Sequence, residues 1–174
     1  MKKTRLLLLG ICFVSINICS AQRHTTHYID KFLPMAKGLS AKWGIPVSVI
    51  LGVSILESGS GTSLNCKQLN NYFGVKGWNI FHLRHTKYKQ YSSAESSFND
   101  FCKIVARKNF YDSLKGNPDY NLWLNAMNRS KYSTAQGIWL QRIKKIIRHH
   151  ELHRYDVEVL GLPAIAKHHH HKTR

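Results

Sequence analysis

The stretch "PVSVILGVSILESGSGTS", residues 46–63, decides how the rest of the chain is read. Pro46 suits the first position of a helix, because its fixed φ is already helical and its missing N–H would be unpaired there anyway. The run that follows, to Leu56, is apolar almost all round, so the helix predicted over 46–57 must be enclosed by the rest of the domain rather than lie on its surface. It ends in one carboxylate, Glu57. Small residues, "SGSG", follow at once and read as leaving an open approach.

Outward from this helix the chain reads as mostly helical. Residues 28–43, "YIDKFLPMAKGLSAKW", carry apolar residues at 32, 35, 36, 39 and 43, a helical spacing, with Pro34 expected to split off a short first turn. "NNYFGVKGWN" (70–79) is rich in Asn and Gly and reads as loop plus short strand, and 80–91 as a short hairpin. Ser92 to Glu95 fits a capping box that opens a helix over 93–107. Asp119 to Asn128 is a short helix. Ser133 to Gln136 fits a second capping box, opening a helix to about His153 whose inward stripe is Ile138, Leu140, Ile143, Ile146 and Ile147.

Residues 1–21 read as a secretory leader: "MKKTR" is basic, "LLLLGICFVSINI" apolar, and "CSAQ" offers a small-x-small cleavage site after Ala21. "SINIC" is a poor lipid-attachment box, which argues against anchoring at Cys19. The expected organisation is a leader over 1–21, one domain over 22–158 and a basic, His-rich tail over 159–174. No later apolar run is long enough to span a membrane. An exported protein, in the periplasm or cell envelope or secreted, follows, and nothing in the chain calls for an oligomer.

The formal net charge is +17, and loss of Lys2, Lys3 and Arg5 with the leader lowers it to +14. Such a balance points to an anionic partner: nucleic acid, a membrane surface or an acidic wall polymer. Of four cysteines only Cys66 and Cys102 survive the cut. In an oxidising compartment they are a candidate disulfide. Neither sits in a metal-binding Cys spacing, and no cofactor motif is present.

The chain has only nine acids. Glu95 is accounted for by capping. Asp30, Asp119 and Glu151 lie on amphipathic helices, and Asp156 and Glu158 fall past the last one. Glu57 alone closes an apolar helix. Burial disfavours the charged form of a carboxyl group, so such an acid can hold a proton at neutral pH and donate it to a leaving oxygen. The same position also suits an acid that reaches water or caps a loop amide.

"GIPVSVILGVSILESGSGTS" followed by "NNYFGVKG" resembles the glucosaminidase domain of glycoside hydrolase family 73, whose helix of the type "IPxSxxLAQxxLESGxG" carries a catalytic Glu and is followed by "NNxFGxKG". "YSSAESSFNDF" (91–101) and "KYSTAQGIWLQRIKKIIRHHELHRYD" (131–156) are similar to two later segments of that family, so the likeness spans about 28–156. The resemblance implies an α+β, predominantly α, lysozyme-like fold with a small β-hairpin beside the cleft. It implies a peptidoglycan hydrolase that cuts after N-acetylglucosamine, with Glu57 as general acid. Tyr132 matches the aromatic residue that lines the family's sugar site, and Asn71, Phe73 and Gly74 match the loop beside it. Trp78, Tyr72, Tyr88 and Tyr91 are further candidates for stacking on sugars.

One departure stands out. Many members of that family carry a second acid in the hairpin, whereas "WNIFHLRHTKYKQ" has none. Retained Glu57 and Tyr132 favour an enzyme; the acid-free hairpin favours a glycan-binding relative without turnover. Nucleic-acid binding would rest on charge alone, with no motif to support it.

Overall fold

The computed structural model describes residues 2–80, 86–133 and 135–161, with side chains from Arg23 onward, Gln136 excepted. Eight helices are found among them: α1 (Lys2–Trp43), α2 (Val47–Ser58), α3 (Leu64–Leu69), α4 (Ala94–Ala106), α5 (Tyr111–Leu114), α6 (Tyr120–Arg129), α7 (Gln136–His149) and α8 (Arg154–Leu160).

The helix α2 is the axis of the fold. Every residue from Val47 to Ile55 is buried, and α1, α6, α7 and α8 pack around it. An all-round apolar helix can only be accommodated this way. It ends because Gly59 takes a left-handed conformation, φ 57°, which costs a residue without Cβ nothing. The N–H of Ser60 then returns to the Ile55 carbonyl, and that of Ser63 to the Ser58 carbonyl. The Ser58 hydroxyl donates to Ser54 O and accepts from the Gly61 N–H. The "SGSG" segment is therefore a packed turn against Tyr28, with Ser60 buried, and not an open approach.

Pro34 does not split α1. Phe32, Ala36 and Leu39 are buried on either side of it, and that shared face outweighs the roughly 3 kcal/mol a proline costs inside a helix. The N-cap of α4 is Ser93, whose hydroxyl accepts from the Ser96 N–H; Glu95 takes no part and lines a groove with Met35, Lys42 and Asn99 instead. Asp119 caps α6 through the Asn121 N–H. The second expected capping box does not cap α7, which starts at Gln136 behind Ala135 with no side-chain cap. It stops at His149, and α8 follows as a separate helix.

The expected hairpin is reduced to one isolated antiparallel bridge, Lys76 with Tyr88, and the described residues contain no strand. Backbone bonds flank it, from Gly77 N to Lys87 O (2.8 Å), Lys89 N to Val75 O (2.8 Å) and Gln90 N to Trp78 O (3.0 Å). Residues 81–85, the middle of that expected hairpin, lie outside the described residues. So does the tail from residue 162, while α8 runs past the expected boundary at 158. Among the described residues, no helix is long and apolar enough to cross a membrane.

Cys66 and Cys102 are free, buried thiols rather than a disulfide. Each has its own surroundings. Cys66 lies beside Tyr72 and Gly61, where burial raises its pKa. Cys102 is enclosed in the core on α4, where burial pushes the thiol up to about 12. A thiol so hard to ionise is a poor nucleophile for disulfide formation.

Candidate functional site

The carboxyl group of Glu57 is half-buried in the last turn of α2. Its two oxygens have different neighbours. Oε1 accepts a hydrogen bond from the indole Nε1–H of Trp139 at 2.9 Å. Oε2 faces Gly74, where a Cβ would stand 3.6 Å from it and 3.9 Å from Cε1 of Tyr88. Burial raises the Glu57 pKa above its ordinary value, and the Trp139 N–H offsets part of that rise. The group is thus biased toward holding its proton, on a rigid helix, next to a position with no side chain.

Three elements bring these residues together. The α7 stripe that meets α2 is Trp139, Ile143 and Ile147, spaced i, i+4 and i+8. Gly52 makes the contact close, because a Cβ there would lie only 3.0 Å from Ile147 Cγ1 and 3.2 Å from Ile143 Cγ2. Trp139 is 3% exposed. Ile138, expected in the inward stripe, is instead 59% exposed. Tyr132, just before α7, is half-buried, with its ring centroid 5.4 Å from that of Trp139 and 6.1 Å from that of Phe101. Burial raises its pKa, and the Glu57 charge raises it further, which places the phenol in the electrostatic field of the acid.

The loop residues have two different roles. Gly74 borders Glu57. Asn71 is 1% exposed and fully engaged within the loop: its Nδ2 donates to Val75 O and Lys89 O, and its Oδ1 accepts from Val75 N. Phe73 is buried and stacks on Phe101 at 4.2 Å. Neither is free to touch a ligand, so the expectation of direct binding by Asn71 and Phe73 is not met; they fix the loop that presents Gly74. Trp78 is 68% exposed. Tyr72 belongs to an aromatic cluster with Tyr28, Phe32 and Phe98. Tyr91 is buried and donates its hydroxyl hydrogen to Asp100 Oδ2 at 2.8 Å.

Asp100 also accepts from Lys89 Nζ at 2.7 Å. Burial pushes this carboxyl up, but the bonds from Lys89 and Tyr91 outweigh it and hold it below its ordinary range. Asp156, expected past the last helix, lies within α8 and is 1% exposed. Its oxygens accept from the backbone N–H and the hydroxyl of Ser48, at 2.8 and 2.5 Å. It thereby supplies the cap that Pro46 cannot give α2. Burial raises its pKa to about 7. Among the described residues, no three His, Cys, Asp or Glu side chains gather where they could hold a metal ion.

Sequence reasoning missed Trp139. The signal available was its spacing with Ile143 and Ile147, which puts an indole on the buried face of the helix.

A family model described as "Glucosaminidase: Mannosyl-glycoprotein endo-beta-N-acetylglucosaminidase" matches residues 33–152. A comparison with curated proteins gives no match. Among solved structures, the chain is similar to the catalytic domain of the autolysin Auto from Listeria monocytogenes, with 19% identity, TM-score 0.63, and 76% of this chain and 87% of that one covered. It is also similar to the glycoside hydrolase domain of FlgJ from Salmonella typhimurium, at 19% identity and TM-score 0.58, covering 77% and 92%. An N-acetylmuramoyl-L-alanine amidase from Staphylococcus aureus matches at 20% identity and TM-score 0.64, over 87% of this chain and 48% of that one. These structural likenesses carry the fold.

Proposed function

Because this chain belongs to the glucosaminidase family and is an endo-β-N-acetylglucosaminidase, we propose that it is exported and cuts the glycan strand of peptidoglycan after N-acetylglucosamine, with Glu57 as general acid. The observation that carries the reading is the environment of Glu57: half-buried, biased toward its protonated form, with Oε2 turned to the gap at Gly74. A general acid must hold a proton at working pH and lie within hydrogen-bond reach of the leaving oxygen. Tyr132 and the exposed Trp78 are the aromatic surfaces we assign to sugar contact. The leader-like pattern of residues 1–21 and the excess of basic residues support export and an anionic wall polymer as partner.

The hairpin stretch 78–90 contains no acid to complete the usual pair of carboxylates, and five of the remaining acids are engaged elsewhere. All nine acids lie among the described residues. Asp100 is held by Lys89 and Tyr91. Asp156 binds Ser48 at the far end of α2, nine residues before Glu57 and so roughly 13 Å of helix away from it. Asp119 caps α6. Glu158 pairs with Lys37, and Glu151 with Arg154. The 2-acetamido oxygen of the substrate is then the group that attacks the sugar carbon from the opposite face, displacing the oxygen that Glu57 protonates; water opens the resulting ring in a second step. This route retains the β configuration.

Glu57→Gln keeps the shape and removes the proton. Turnover of purified peptidoglycan should fall by about 10²–10⁴-fold with the melting midpoint nearly unchanged, and proton NMR of wild-type product before mutarotation should show the β anomer. A Gln variant near wild-type rate refutes the acid, and an initial α anomer refutes the acetamido route. The acid-free hairpin also favours a second reading, a glycan-binding protein without turnover. Under that reading the wild-type protein binds the polymer and releases no new reducing ends.

A further inference from the structure

We propose that Trp139 is a positioning residue that selects the oxygen from which Glu57 delivers its proton: the indole N–H occupies Oε1, so the acid carries its hydrogen on Oε2, toward Gly74 and Tyr88. This rests on the reading of Glu57 as the general acid and adds to it a residue and an orientation.

The chemistry of the donor drives the argument. An indole nitrogen donates one hydrogen and accepts none. A carboxylic acid carries one hydrogen and keeps acceptor capacity on the other oxygen. With the Trp139 N–H 2.9 Å from Oε1, a proton on that oxygen would compete with the indole hydrogen for the same lone pairs. The arrangement that satisfies both groups puts the proton on Oε2. That oxygen faces the gap left by Gly74.

The donor is also held in place. Trp139 is enclosed, its ring lies against Tyr132, and two turns of its own helix are pressed onto α2 at Gly52. Among the described residues, Trp139 from α7 bonds to Glu57, Gly74 with Tyr88 beyond it borders Oε2, and Tyr132 from the α6–α7 connection feels the charge. Among the described residues, burial and the Trp139 hydrogen bond are the two influences that shift the Glu57 carboxyl group.

A donor to the carboxylate stabilises the charged form, so removing it must raise the proton affinity of Glu57. The test replaces Trp139 by β-(3-benzothienyl)alanine, in which sulfur stands where the N–H was and the ring shape is kept. Trp139→Phe is the genetic counterpart. Two readouts are taken. The first is the carboxyl ¹³C shift of Glu57 against pH without substrate, the signal being assigned by its loss in Glu57→Gln. The second is the pH profile of kcat and KM on purified peptidoglycan.

We expect the Glu57 midpoint, and the alkaline limb of kcat with it, to move up by about one pH unit, a tenfold change in proton affinity. We expect kcat at its plateau to fall about tenfold, with KM little changed. If Trp139→Phe does not fold, the benzothienyl protein decides. A purely structural role would lower stability and leave the midpoint where it was. An unmoved or lowered midpoint overturns the inference and leaves Glu57 as acid intact. Full activity in Glu57→Gln overturns both.

Discussion

Gly52→Ala tests whether the spacing of α2 and α7 sets the catalytic geometry. The added Cβ would lie 3.0 Å from Ile147 Cγ1, 3.2 Å from Ile143 Cγ2 and 3.3 Å from Ile147 Cδ1. Both partners are β-branched and stiff about χ1 in a helix, so they cannot swing away, and α7 must retreat by a few tenths of an ångström. Overpacking of this kind costs about 1–3 kcal/mol, while alanine gains about 1 kcal/mol over glycine as a helix former. The net loss is about 0–2 kcal/mol, which for a chain of this size lowers the melting midpoint by about 2–4 °C per kcal/mol. The effect on turnover should be larger than stability suggests. Trp139 lies one turn before Ile143 on the same face, and its hydrogen bond to Glu57, now 2.9 Å, would stretch to the long edge of the ordinary range and weaken. Since a hydrogen bond is worth about 0.5–1.5 kcal/mol, weakening it predicts a fall in kcat of up to about tenfold. Urea unfolding and turnover of purified peptidoglycan measure the two quantities. If the variant loses stability as expected but keeps wild-type kcat, the spacing of the two helices does not govern the acid, and the coupling argued here is wrong.

Two further outcomes follow from the same geometry. Tyr132→Phe keeps the ring against Trp139 and Phe101 and removes only the hydroxyl, which feels the Glu57 charge, so turnover should drop about tenfold while circular dichroism and the melting midpoint stay put; unaltered turnover would assign Tyr132 to packing alone. Asp156 keeps its proton in the folded state up to about pH 7, whereas the unfolded chain loses it near 4; stability conferred by this group is complete at low pH and is lost as pH rises from about 4 to 7. Wild-type stability relative to Asp156→Asn should fall by on the order of 3–4 kcal/mol across that window in urea titrations, and a flat difference would show that the carboxyl group ionises normally in the fold.

What could be read from the sequence was local. The all-round apolar character of residues 47–56 required a central helix, and the scarcity of acids singled out the carboxylate at its end. The helices α4 and α6 fall where the reading placed them, although the cap of α4 is Ser93 without Glu95, and Asp119, read as part of α6, is its cap. What could not be read depends on contacts between distant parts of the chain. Trp139 meets Glu57 across 82 residues, and Asp156 meets Ser48 across 108; neither pairing leaves a local pattern. The phase of α7 differs from the expected stripe because Ile138 and Trp139 are adjacent and both apolar, and only the start of the helix at Gln136 decides which one points inward. Asn71 shows the opposite limit. A polar residue in a loop beside a cleft is expected to face the ligand, yet three backbone groups of the loop claim its amide first.

The contacts that were not legible share one purpose. The last third of the chain grips α2 at three levels. Asp156 of α8 caps its first turn through Ser48. Ile143 and Ile147 of α7 close on Gly52 at its middle. Trp139 holds Glu57 at its end. A helix gripped only at its middle could still tilt or fray, and its last turn is where fraying begins, since the final carbonyls have no partners within the helix. The acid sits in that turn. Proton delivery depends on the distance and direction to a leaving oxygen, and misplacement by about 1 Å can cost on the order of a hundredfold in rate. The Schellman-type closure through Gly59 and Ser60 ties the backbone of the turn, and the indole bond ties the side chain. Glu57 is thus immobilised by two independent devices, one local in sequence and one supplied by a helix 82 residues away, and only the first was within reach of the motif that drew attention to it.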